Sequence, residues 1–196
     1  MNDVSQFRKA NVSDTCSLWN LMASKLLYST AVNAGVTLCC TNFVVYECLH
    51  KPGQVRSERE ELKRRLRAKL DDKSIGSYSI ELEDLQSVEV LRSRKKLSIG
   101  ELSAIVFAQK TSLAVLTDDI GAQKLARLVL AEGTVQNTPH LFGWLYFNSL
   151  LNDGDKDQVA ADLKSLERNL SPHLERYHSE AQRCRAIAIQ SLNLKG

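Results

Sequence analysis

Apolar positions along the chain follow two rhythms. In "TCSLWNLMASKLLYSTAVNAG", Leu18, Leu21, Met22, Leu26 and Leu27 recur at helical spacing, and Gly35 is a natural stop. Short continuous runs such as "VTLCC" and "LAVLT" are strand-like, with weaker strands expected at "KANVSD", at "TVQN" and in an alternating stretch around Ile80 to Leu82. "TNFVVYECLHKPG" reads as a helix capped by Thr41 and ended by Pro52-Gly53. Further helices are expected from about Val55 to Lys73, from Glu83 to about Lys95, from near Gly100, over "IGAQKLARLVLAEG", and over "TPHLFGWLYFNSLLNDG", where Pro139 suits the first turn.

Short strands alternating with helices predict an α/β fold with a parallel sheet covered on both faces and joined by right-handed crossovers. From Asp153 the pattern changes to two amphipathic helices separated by Ser171-Pro172, either appended to the core or set aside for a partner. The expected division is therefore 1–152 and 153–196.

The 196 residues, 43% hydrophobic and 25% charged, fit a soluble globular protein with one main domain. No apolar run approaches the ~18 residues of a membrane span, and "MNDVSQFRKANVSD" lacks the apolar core of a signal peptide, so the expected location is cytoplasmic. Five cysteines form no CxxC pair, and an odd count argues for buried reduced thiols rather than a disulfide framework.

Net charge is +3, but its distribution matters more. Residues 51 to 70 carry eight Lys/Arg against three Glu, a local +5 that leaves −2 for the rest. A solvated helix face explains this, with Glu60–Arg64 and Glu61–Arg65 as i,i+4 pairs. A polyanion-binding edge is the sharper reading, with Arg59, Lys63, Arg64, Arg65 and Arg67 as its contacts.

Carboxylates recur where open parallel sheets bind ligands, beyond the carboxyl ends of strands. Asp14 closes the first strand, Asp118 and Asp119 close "LAVLT", Glu101 opens the preceding helix, and Glu47 sits among apolar residues in "FVVYECLH". Singly, each has a structural explanation: Asp14 and Asp119 as helix caps, Glu101 at a helix N-terminus, Glu47 on a solvated face. Together they would repel one another without a cation, and hard oxygen ligands suit Mg²⁺ or Mn²⁺. GxGxxG and GxxxxGKS fingerprints are absent, which weighs against nucleotide binding by those routes.

In order along the chain, "SDTCSLWNL", "TNFVVYECLHK", "IGELSAIVFAQ" and "LAVLTDDIGAQKLA" resemble the four acidic motifs of the PIN-domain ribonuclease family, which includes VapC-like toxin nucleases. The resemblance covers about residues 8 to 150. It implies a Rossmann-like three-layer α/β/α sandwich around a parallel sheet of about five strands, with the C-terminal helices as an extension. It implies a metal-dependent endoribonuclease that uses metal-activated water, with Asp14 as the central Mg²⁺ or Mn²⁺ ligand. Glu101 and Asp118 or Asp119 would complete the metal shell, Glu47 would bind a second ion or orient water, and Thr15 or Thr117 would support with a hydroxyl. An RNA substrate, an antitoxin and a homodimer are the implied partners. The alternative is a PIN-like module that binds RNA or protein without catalysis.

Overall fold

Strands β1 (Ala10–Ser13), β2 (Thr37–Thr41), β3 (Ile75–Tyr78), β4 (Ala114–Leu116) and β5 (Val135–Gln136) form one all-parallel sheet in the order β3-β2-β1-β4-β5. The computed structural model describes residues 2–52, 56–81, 83–84, 86–88 and 97–193, with side chains through residue 191.

Alternation along the strands sends side chains to both faces. Leu38, Cys40 and Leu116 enter one apolar cluster, and Val12, Cys39 and Val115 enter the other. The first cluster is completed by α1 (Thr15–Ala23), α2 (Lys25–Asn33), α3 (Asn42–Leu49) and α4 (Ser57–Asp71). The second is completed by α5 (Ile99–Thr111) and α6 (Ile120–Val129). Helix α7 (Thr138–Phe147) returns to the first face, giving the three layers of a Rossmann-like fold.

β1 lies at the centre of the sheet despite its polar residues: Asn11 is paired at both ends, while the buried Ser13 hydroxyl has no hydrogen-bond partner among the described residues. Asn11 Nδ2 donates to Arg8 O at 2.7 Å, and Gln136 Nε2 donates to Asn11 Oδ1 at 2.6 Å. A buried amide with both ends paired avoids most of its desolvation cost.

Three boundaries differ from expectation. The first helical stretch breaks at Ser24, whose hydroxyl caps α2 at Leu27 N–H and also meets Asp162 Oδ2 at 2.9 Å. β3 falls at Ile75–Tyr78 rather than around Ile80 to Leu82: pairing with β2 puts Ile75 beside Leu38 and buries it, whereas residues 79 to 81 are outside the strand. Tertiary pairing thus overrode local alternation. Ser171-Pro172 begins a helix instead of separating two. Most of the expected helix from Glu83 to Lys95 lies outside the described residues, as does Leu82.

The C-terminal helices α8 (Asp153–Ser165) and α9 (Ser171–Asn193) put Val159, Leu163, Leu174, Tyr177 and Ala181 into the same cluster as Leu18 and Leu21 of α1. Leu163→Ala will therefore lower the unfolding free energy by about 3 kcal/mol, measured by urea titration. A change below about 1 kcal/mol would show that α8 is held outside the core.

Among the described residues, no helix is long and apolar enough to cross a membrane. All five cysteines are free thiols, with Cys39, Cys40 and Cys48 buried.

Candidate active site

β1 and β4 are neighbours whose onward connections diverge, β1 towards β2 and β4 towards β5. At such a switch point the crevice beyond the strand ends is open to a ligand. Asp14 follows β1 directly, and Thr117, Asp118 and Asp119 follow β4.

Asp14 is fully buried and caps α1. Its Oδ1 accepts from Ser17 N–H and from the Ser17 hydroxyl, each at 2.8 Å, and its Oδ2 accepts from the Thr117 hydroxyl. Burial pushes its pKa up to about 7, and the nearby Asp118 charge adds to that; the Ser17 and Thr117 bonds oppose it.

Asp118 and Asp119 divide their work. Asp119 Oδ1 caps α6, accepting from Ala122 N–H at 2.7 Å. Asp118 accepts from the Thr138 backbone at 2.9 Å, the Thr138 hydroxyl and Asn20 Nδ2 at 2.7 Å. Burial raises its pKa, and these donors pull it back.

The other two acids meet at Ser98, the N-cap of α5. Ser98 and Glu101 form a reciprocal capping box: Glu101 N–H donates to Ser98 Oγ at 3.1 Å, and Ser98 N–H donates to Glu101 Oε2 at 2.8 Å. The same Ser98 hydroxyl reaches Glu47 Oε2 at 3.2 Å, where Thr15 Oγ1 also donates at 2.7 Å, and Gly100 N–H donates to Glu47 Oε1 at 3.1 Å. Glu47 is only 7% exposed, so these donors replace the water it has lost. Burial raises the pKa of Glu101, with the Asp119 and Glu47 charges adding to it.

The five acids named from the sequence thus form two electrostatically linked groups: Asp14 with Asp118, and Glu101 with Asp119 and Glu47. Among the described residues, no three His, Cys, Asp or Glu side chains stand together as metal ligands. In kind, however, the donor set fits a hard divalent ion. It consists of carboxylate oxygens, and a cation would offset both the burial that chiefly raises Asp14 and Glu101 and the neighbouring negative charges that add to it.

The basic helix is occupied largely with itself. Lys63 pairs with Glu60 at 2.7 Å, and Arg64 turns to Glu61 at 2.8 Å rather than to Glu60. Arg65 pairs with Glu61 at 2.6 Å and donates to Met22 O and Ala23 O at 2.9 Å each, closing the last carbonyls of α1. Arg67 is exposed, and Arg59 lines a cleft against the C-terminal region.

Ser17, Asn20, Ser98, Thr138 and Arg168 also belong to the site, though sequence reasoning did not name them. "SIGE" is a legible capping-box signature for Ser98. Arg168 carries no local signal, since it reaches Asn20 across 148 positions, with Nε 2.7 Å from Asn20 Oδ1. No family model matches the chain, and comparison with curated proteins gives no match.

Proposed function

We propose that the protein is a metal-dependent endoribonuclease, with Asp14, Glu101 and Asp118 or Asp119 holding Mg²⁺ or Mn²⁺. The observation that carries this reading is the crowding of acids at the β1/β4 switch point, where the wholly buried Asp14 keeps a proton up to about pH 7. Such a group is poised to exchange its proton for a cation.

Bound there, Mg²⁺ or Mn²⁺ supplies acidification of water and neutralisation of the charge that develops on a phosphodiester. The chain's own residues position the parts. Ser17 and Thr117 fix the two oxygens of Asp14, and Ser98 fixes Glu101. Thr15, Ser98 and Gly100 hold Glu47 as an oriented acceptor for a proton from water. Hydrolysis then leaves a 5′-phosphate and a 3′-hydroxyl.

An RNA substrate and reduced thiols favour the cytoplasm. The same reading carries two protein partners, an antitoxin and a second copy of the chain; exposed Ile187 and Ile189 on α9 favour self-association.

A second reading, an RNA- or protein-binding module without catalysis, is favoured by one observation: each acid already has hydrogen-bond donors within the protein. The two readings separate on cleavage of a single-stranded RNA with Mn²⁺ or Mg²⁺ and analysis of the ends. Metal-dependent cuts with 5′-phosphates, absent in Glu101→Gln, support the enzyme. RNA binding without cleavage in either metal supports the module.

A further inference from the structure

Helix α8 ends in a Schellman motif without glycine. Glu167 N–H donates to Lys164 O at 3.2 Å and Arg168 N–H to Leu163 O at 2.8 Å, with Glu167 at φ +57°. A left-handed glutamate costs free energy that glycine would avoid, of about 1 kcal/mol. The turn nevertheless adopts it, and the next residue, Arg168, is delivered to the carboxylate rim.

Arg168 is half-buried there. Its Nε donates to Asn20 Oδ1, Asn20 Nδ2 donates to Asp118, and Arg168 Nη2 lies 3.5 Å from Cys16 Sγ, two residues after Asp14. The same side chain lines a cleft of about 540 Å³, together with Trp19, Leu62, Arg56 and Arg59. Arg56 Nη1 pairs with Glu167 Oε2 at 2.9 Å and so ties α4 to the turn that forms the opposite wall.

We propose that this cleft binds the phosphate backbone of the RNA next to the cut, and that Arg168 is the contact nearest the acids. The inference rests on the nuclease reading for its substrate. A guanidinium has five N–H donors, and the bonds to Asn20 and Cys16 use two, so the fork retains capacity for a phosphate. The cleft is also lined by Glu58 and Glu167, by the largely buried Trp19 and Leu62, and by three arginines, and its volume lies in the range of small-ligand sites. The C-terminal helices would then contribute to the function through one arginine.

The test is fluorescence anisotropy of the full-length protein with a labelled single-stranded RNA decamer in EDTA, over a range of KCl, for the parent, Arg168→Ala, Arg168→Lys and Arg59→Ala. Arg168→Ala is expected to weaken binding about tenfold and to flatten the log–log salt slope by about 0.7. Arg168→Lys should keep the slope while losing part of the affinity, because an ammonium keeps the charge without the fork. Arg59→Ala should flatten the slope as well. Thermal melts verify folding, and the slope is a readout that loss of the Asn20 bond alone would not move.

If the parent binds and both alanine variants match it in affinity and slope, the cleft is not the subsite, whatever the cleavage assay shows. If the variants weaken binding but the parent never cuts with Mn²⁺, the nuclease reading falls and the phosphate cleft stands. If the parent does not bind RNA, the phosphate cleft falls, and cleavage with Mn²⁺ alone decides the nuclease reading.

Discussion

If the protein is the nuclease proposed above, Asp14→Asn will cut RNA on the order of 10³-fold more slowly than the parent, and at pH 8 its metal-free form will be the more stable protein. Both effects come from one buried carboxyl. The asparagine keeps an oxygen for Ser17 N–H, so the cap on α1 survives, but it lacks the charge on which a divalent ion depends. The stability effect follows from the pKa, raised from 3.8 to about 7 mainly by burial. Between those two values the folded protein holds a proton that the unfolded chain has released, so this group drains stability as pH rises through the window. Above about 7 the loss is complete. Removing the carboxylate returns about 1–3 kcal/mol at pH 8, or roughly 5 °C in Tm, and little at pH 4. The parent should recover the same stability at pH 8 when Mn²⁺ is added, and the variant should not. An equal Tm difference between the two proteins at pH 4 and pH 8 would mean that Asp14 is not the titrating group.

Gly100→Ala is the second large effect, and it acts on a neighbour. A Cβ at Gly100 would stand 2.5 Å from Glu47 Oε2, 2.8 Å from Glu47 Cδ and 3.0 Å from Thr15 Oγ1. Nothing that close survives, so Glu47 must swing away and give up the Gly100 N–H, Thr15 and Ser98 bonds. Alanine gains up to about 1 kcal/mol of helix propensity over glycine, which offsets part of the lost hydrogen bonding. The net change in stability should therefore stay within about 2 kcal/mol, while the cleavage proposed for the parent should fall about 100-fold. Glu47→Gln is the comparison: it retains the space and most of the bonds but not the charge. Parental cleavage by Gly100→Ala would show that the reaction does not need Glu47 at this position.

The fold was largely legible because its strands are short, apolar and separated by capped helices. Thr41, Asp14 and Asp119 announce the helices they cap. β3 was misplaced because its identity depends on pairing with β2, which no local pattern reports. In the site, Asp14, Glu101, Asp118 and Asp119 could be named from their places at strand or helix ends, and Glu47 from its apolar neighbours within a helix. Their donors were harder to foresee: Asn20 looks like any polar position on an amphipathic helix until Asp118 meets it from 98 residues away. In the basic helix the Glu61–Arg65 pair was legible from its spacing, but the bonds of Arg65 to the carbonyls of α1 were not, because they cross to another helix.

The shared core of α1, α8 and α9 also sets an order of events on the ribosome. Synthesis runs from the N-terminus, so β1 and Asp14 emerge before the helices that complete their core, and the surface that α9 covers on α7 stays open until α9 has left the exit tunnel. Arg168 arrives almost as late. A nascent chain therefore carries its acids long before it carries the arginine that adjoins them, and the rim assembles only once Arg168 has emerged.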